Sequence, residues 1–300
     1  MIRKLLLFVF VIDLLFHFSQ VEGIERLLID EIGRKVEVPH SAKRIVSLAP
    51  SITEILFALG LNEEIAAVTD FCDYPEAVLN KPRIGGFVNP SIEKIVSLKP
   101  DLIIGARDGN RLETIHALKD LGFSVHLINP KSFNGALKAI HHIGEMVGRE
   151  EGSRKILANM ILKKEDIVKR IKSFPKPKVF FQIGYVPIIT VGKGTLADDL
   201  ISLAGGNSIS RDESVSYPLY SVETIISKGP EIIIVSSMGS KKNHLDLVKK
   251  WQNWTSIPAV KRNAVYLVDS NLVDRPTPRI VEGLEALAKM IHPEALGEKR

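Results

Sequence analysis

Two glutamates at matching places in a duplicated segment are the first residues with chemical potential. Glu93 lies in SIEKIVSLKPDLIIGA (91–106) and Glu223 in SVETIISKGPEIIIVS (221–236). The stretches align without a gap: Ser91 with Ser221, Ile95 with Ile225, Ser97 with Ser227, Pro100 with Pro230, Asp101 with Glu231. Paired carboxylates perform acid–base work only when both reach one substrate. At equivalent points on separate units they suit recognition of a basic partner, where exposed charge sets orientation and encounter rate. Behind a helix-capping serine each also offsets the helix dipole, by about 0.3–1 kcal/mol.

Other candidates are thinner. His141, His142 and Glu145 are metal-ligand types, but adjacent histidines leave a helix on different sides, so surface histidines are expected. Gly192-Lys193-Gly194-Thr195 has the composition of a phosphate loop. Its spacing fails, with Pro187 where the first glycine belongs and Gly194 after the lysine, and a lobe-surface turn is expected. Neither a G-x-S-x-G nucleophile turn nor an H-E-x-x-H helix occurs, and no catalytic residue or metal site is predicted. Cys72 is the single cysteine. It excludes an internal disulfide and reads as a small packed side chain.

The elements that position these residues alternate between strand and helix. A hairpin is expected over 27–38 with Gly33 at its turn, a buried strand over 44–49, then a helix from Pro50 and Ser51 to Gly60, where Ser51 and Glu54 have capping-box spacing. In each copy of the repeat, proline stops a short helix and the isoleucine run that follows reads as a strand buried on both faces. Helices over 112–121, 132–147 and 196–204 and strands over 123–128 and 179–183 continue the pattern. From 148 to 174 there is no proline, and Ile156, Met160, Ile167 and Ile171 form one helical stripe. This helix is long enough to join two units. The predicted fold is therefore α/β: two similar lobes, each with a mostly parallel sheet and its own core, joined by one long helix, with a cleft between them. The expected boundaries are a leader at 1–23, lobes at 24–147 and 175–300, and the linker helix at 148–174.

The leader has Arg3 and Lys4 before an apolar run over 5–16, then small residues at Val21 and Gly23. It reads as a secretory signal peptide cut near Gly23, because the run is shorter than the roughly 20 residues a spanning helix needs. Without a cysteine near that point, a free periplasmic protein is expected. The net charge of +5 is spread among acids, as in KKEDIVKRIK, and marks solvated helix faces rather than a nucleic-acid surface.

RIVSLAPSITEILFALG, DYPEA, NPSIEKIVSLKPDLIIG, KVFFQIGYVPIITVGK, AGGN and RPTPRI, in this order, resemble the substrate-binding proteins of bacterial ABC importers. The likeness is to the helix-linked subgroup that carries cobalamin, haem and iron–siderophore complexes, and most of all to its cobalamin carriers. It covers about 27–292. The resemblance implies a binding protein rather than an enzyme, with no resident cofactor, a corrinoid (cobalamin or cobinamide) as cargo, and haem or an iron–siderophore complex as the alternative. It implies Tyr74, Phe87, Arg107 and Asn110 from the first lobe and Ile183, Tyr185, Tyr217, Asn271 and Arg275 from the second as ligand contacts. Glu93 and Glu223 would dock on a membrane permease, which engages its ATPase, and the carrier would be a monomer. Some relatives carry tryptophan where Phe87, Ala106 and Tyr217 stand here.

Overall fold

A computed structural model describes residues 25–237 and 244–296; the leader predicted over 1–23 lies outside the described residues. β1 (Glu25–Ile29) and β2 (Lys35–Pro39) form the expected antiparallel hairpin. Gly33 closes it at φ 84°, donating to the Asp30 carbonyl at 3.0 Å. Then follow β3 (Ile45–Ser47), α1 (Pro50–Ala58), β4 (Ile65–Ala67), α2 (Ile92–Ser97), β5 (Leu102–Ala106), α3 (Leu112–Asp120), β6 (Val125–Ile128) and α4 (Phe133–Met146). After α5 (Glu150–Ile171) come β7 (Lys178–Gly184), β8 (Ile189–Thr190), α6 (Leu196–Leu203), β9 (Asn207–Ser208), α7 (Val222–Lys228) and β10 (Ile232–Ser236). The last elements are α8 (His244–Trp251), α9 (Pro258–Lys261), β11 (Val265–Val268), α10 (Ser270–Val273) and α11 (Ile280–Ile291).

The duplication is physical. Ser91 and Ser221 cap α2 and α7, each accepting from the amide three residues on at 3.2 Å. Asp101 accepts from the amides of Lys43 and Arg44, and Glu231 accepts from that of Lys178. Each acid thus pins the strand that lies beside its own. The two helices end at Ser97 and Lys228, and a left-handed residue stands directly ahead of each proline, Lys99 (φ 47°) and Gly229 (φ 59°). The left-handed residue ends the helix and the proline after it bars its resumption.

β5 and β10 lie inside their sheets, as their isoleucine runs require. The first sheet has the order β4-β3-β5-β6, all parallel. The second runs β11-β10-β7-β8, parallel except for β8, with β9 beside β7. Core organisation departs from expectation. Ile103 and Ile233 face small clusters private to each half. Leu102, Ile104, Ile232 and Ile234 belong to one large cluster that runs through both halves and takes in Met160, Ile167 and Ile171 of α5. Strand alternation makes this possible: one face of each sheet turns outward, and the other packs toward the neighbouring half. The 22-residue α5, about 33 Å long, packs on both α4 and α11. Its approach to α4 needs Gly144, where a Cβ would lie 2.5 Å from the Ser153 Cβ. Among the described residues no helix is long and apolar enough to cross a membrane.

His126 on β6 is fully buried, with neither ring nitrogen bonded, and packs edge-on to His142 at 4.7 Å. Burial, then the neighbouring His142, pushes it down to about 4, and Asp30 and Arg34 also face it. The unfolded chain therefore binds a proton that the folded chain refuses between pH 6.5 and 4. Stability from this group is full above pH 6.5 and lost as pH falls to 4, by about 3 kcal/mol. Urea denaturation of wild type and His126→Leu across this range should show the wild-type stability falling by that amount relative to the variant. Parallel curves would refute the assignment.

Candidate functional site

A cavity of about 520 Å³ opens between the two halves. It lies beyond the carboxyl ends of the strands, the usual ligand position in open α/β sheets. The first half contributes Pro50 and Ser51 after β3, Phe71, Phe87, and Ala106 at the end of β5. The second contributes the turn before α6, Tyr217 and residues 274–276. Phe71 and Tyr217 are more than half exposed, giving aromatic area on both sides.

An ion cluster closes the base between the halves. Glu54 of α1 is buried, its side chain 2% exposed. It accepts from Arg275 Nη1 at 3.0 Å and from Arg279 Nε and Nη2 at 2.9 and 3.0 Å. Arg275 Nη1 also donates to Asp73 Oδ1 at 2.6 Å, and the Arg279 guanidinium stacks 3.8 Å from the Tyr74 ring centre. The expected Ser51–Glu54 capping box does not form. Ala49 is the N-cap without a side-chain bond, and Pro50 in the first turn has no amide to satisfy. Glu54 is thereby left for the arginines. A second tie runs from the Phe133 amide to Asp199 Oδ2 at 2.8 Å.

Of the nine expected ligand contacts, Phe87, Tyr217 and Arg275 line the cavity. Asn110 is buried and its amide is committed: it accepts from the Ala106 N–H and donates to the carbonyls of Leu48 and Phe87. It holds the Phe87 loop rather than lining the cavity. Tyr74 lies under Arg279 at the junction of the halves. Tyr185 lines a separate cavity with Lys250 and Trp254, where Lys250 Nζ bonds its hydroxyl. Ile183 packs against the large core from β7. Arg107 flanks the lining residues Ala106 and Asp108 through its backbone bond to Ile128. Asn271 sits in α10, its backbone N–H donating to Asp269 Oδ1. Glu93 and Glu223 are exposed in the first turns of α2 and α7. Each helix runs back into its strand, so both stand at the edge of their sheet from which the cleft opens. The Ser221 hydroxyl, by bonding Glu223, holds its carboxyl below the ordinary range.

Several charged groups of the cleft carry no signal in residue type or spacing. Asp108 and Lys131 pair at 3.7 Å on the first-half wall. Asp274, on the opposite wall, accepts from Ser236 Oγ at 2.9 Å. Burial pushes Asp274 up to about 6, against the Ser236 bond and the Arg275 charge. Burial also raises the Tyr217 phenol, with Asp108 and Asp274 adding to the rise. Asp73 and Arg279 sat in the motifs DYPEA and RPTPRI, but nothing local tied them to Glu54. The His141–Glu145 pair at 3.3 Å is a within-helix contact, and among the described residues no group is placed to hold a metal ion. Thr195 of the glycine–lysine turn caps α6, accepting from the Asp198 amide. Cys72 is buried between the Thr53 and Thr69 hydroxyls.

Residues 45–272 match the family described as periplasmic binding protein. An uncharacterised ABC transporter substrate-binding lipoprotein of Bacillus subtilis is 33% identical over 276 residues, 90% of this chain and 86% of its own. The solved periplasmic vitamin B12 binding protein of Vibrio cholerae superposes with a TM-score of 0.77 at 30% identity, covering 86% of this chain and all of its own. A periplasmic haem-binding protein of Roseiflexus gives 0.76 at 25% identity, covering 85% and 100%.

Removing Glu54 leaves two guanidinium groups, each with its side chain under one-fifth exposed, with Asp73 alone to offset their charge. Breaking a buried ion pair from one side costs about 3 kcal/mol or more. Glu54→Gln should lower unfolding stability by that amount in urea titrations, whereas an exposed pair such as Lys155–Glu151 should contribute under about 1 kcal/mol. Equal, small losses in both would refute a joining role for Glu54.

Proposed function

The chain belongs to the periplasmic binding protein family, and from that footing we propose that it captures a corrinoid, cobalamin or cobinamide, between its lobes and delivers it to an ABC permease. It is a substrate-binding protein of the class whose relatives carry vitamin B12 or haem, relatives that are binding proteins and not enzymes. Membership implies a location outside the cytoplasm. The finer reading is a free periplasmic monomer, released by cleavage near Gly23 and lacking a cysteine there for lipid attachment. Its lobes are 24–147 and 175–300, joined by the 148–174 linker.

The charge balance of the cleft carries the choice of cargo. The lining cations, Lys131 and Arg275, are both paired with carboxylates. With the groups directly behind them, four carboxylates (Glu54, Asp73, Asp108, Asp274) face three cations (Lys131, Arg275, Arg279). A corrinoid presents a flat ring edged with neutral amides, which donate to carboxylates and accept from hydroxyls and guanidinium groups. Haem presents two carboxylates that call for unmatched cations. Its iron also needs an axial ligand. Tyr74 lies outside the cavity lining, its ring against the Arg279 guanidinium. Phe87 and Tyr217, from opposite lobes, supply ring faces for a large planar cargo.

Glu93 and Glu223 serve as the permease contacts, one per lobe at equivalent positions, each ready to meet an arginine or lysine. The shared core and the continuous α5 favour a small opening on cargo release.

Calorimetry of purified protein with cobinamide should give saturable one-to-one binding, weakened at least about tenfold by Phe87→Ala or Tyr217→Ala. A Soret shift with haemin and no heat with cobinamide would transfer the reading to haem. Charge reversal at Glu93→Lys and Glu223→Lys should abolish stimulation of the permease's ATPase in proteoliposomes while cobinamide affinity stays within about twofold. Undiminished stimulation would remove the docking role.

A further inference from the structure

We propose that Asp73, a residue outside the cavity lining, is a specificity determinant: with Glu54 it cancels the charge of Arg275 and Arg279 and keeps carboxylate-bearing tetrapyrroles out. This deepens the corrinoid reading and rests on it.

Arg275 lines the cavity, and its Nη1 is the shared donor to both acids, 3.0 Å from Glu54 and 2.6 Å from Asp73. Arg279 faces the same Glu54 carboxylate from the other side. The four side chains form a closed, neutral group of two acids and two guanidinium ions. Glu54 alone cannot neutralise both arginines. Asp73 supplies the second negative charge, and it does so from the loop that also contributes Phe71, whose carbonyl accepts from Arg275 Nη2 at 3.4 Å. Without Asp73 the cleft's excess of carboxylates over cations disappears, three facing three, and Glu54 with its two arginines is left one positive charge, borne next to the cavity by a planar donor suited to carboxylates. The Asp73 side chain is 53% exposed, so its removal strands no buried acid and leaves Glu54 bonded to both arginines. A specificity effect is therefore separable from a folding effect at this position, as it is not at Glu54.

The test measures binding of cobinamide, metal-free protoporphyrin, and protoporphyrin dimethyl ester to wild type, Asp73→Asn and Asp73→Glu. The porphyrin lacks iron, so axial ligation does not contribute, and the ester keeps the ring while losing both charges. Asp73→Asn should gain about tenfold or more for the dicarboxylate, the size of one charge-assisted hydrogen bond. The gain should be absent for the ester, fade with added salt, and be reversed in Asp73→Glu. Cobinamide affinity should stay within about threefold. Equal dicarboxylate affinity in wild type and Asp73→Asn, or an equal gain for the ester, overturns the inference while leaving cobinamide binding by wild type intact. If wild type instead fails to bind cobinamide, the corrinoid reading falls, and the dicarboxylate-to-ester ratio in the two proteins still decides whether Asp73 acts as a charge filter.

Discussion

A carboxylate withdrawn from water must be met by cations, and Glu54 is met only by residues more than two hundred positions later. That requirement joins the ends of the fold. α1 belongs to the first lobe, Arg275 and Arg279 to the segment entering α11, and their pairing brings the carboxyl ends of both sheets to one crevice. An ion pair of this kind adds little net stability over an apolar contact of the same shape, but a wrong arrangement that leaves Glu54 unpaired is strongly disfavoured. It therefore specifies how the lobes meet.

Around that junction the halves are packed rather than merely tethered. The inner faces of both sheets, α4, α5, α6 and α11 contribute to a single apolar cluster. Sliding one lobe past the other would expose part of it, at about 25 cal/mol for each Å² of apolar surface. The Phe133–Asp199 bond supplies a further tie. Such packing opposes motions that would part the base of the cleft, as does a linker that is one unbroken helix rather than a pair of strands.

Duplication set up equivalent lobes, and divergence made them chemically unequal. The caps, left-handed helix ends and strand-pinning acids recur in both. The cleft walls do not. One presents Asp108 with Lys131; the other presents Tyr217, Asp274 and Arg275. The β7–β8 hairpin occurs in the second lobe and carries Tyr185 away from the central cavity to a groove with Trp254. The shared scaffold places loops; their individual side chains choose the cargo.

Elements governed by local rules were legible in the residues alone. Ser91 and Ser221 capped the helices they were read to cap, the isoleucine runs became central strands, and the stripe from Ile156 to Ile171 became the connecting helix, because capping, periodicity and backbone restriction act over a few residues. Groups whose partners are distant in the chain were not legible. Glu54 has the local spacing of a cap and became an interlobe ion partner. Asn110 and Tyr185 lie in segments expected near the cleft, yet their side chains are directed to a loop carbonyl and to a separate groove. β5 and β10 read as the centres of two separate cores; one face of each joins a core common to both halves, and the other faces a private cluster. In each case the deciding energy is the desolvation of a charge, an amide or an apolar face, and its partner is set by the folded arrangement rather than by neighbours in sequence.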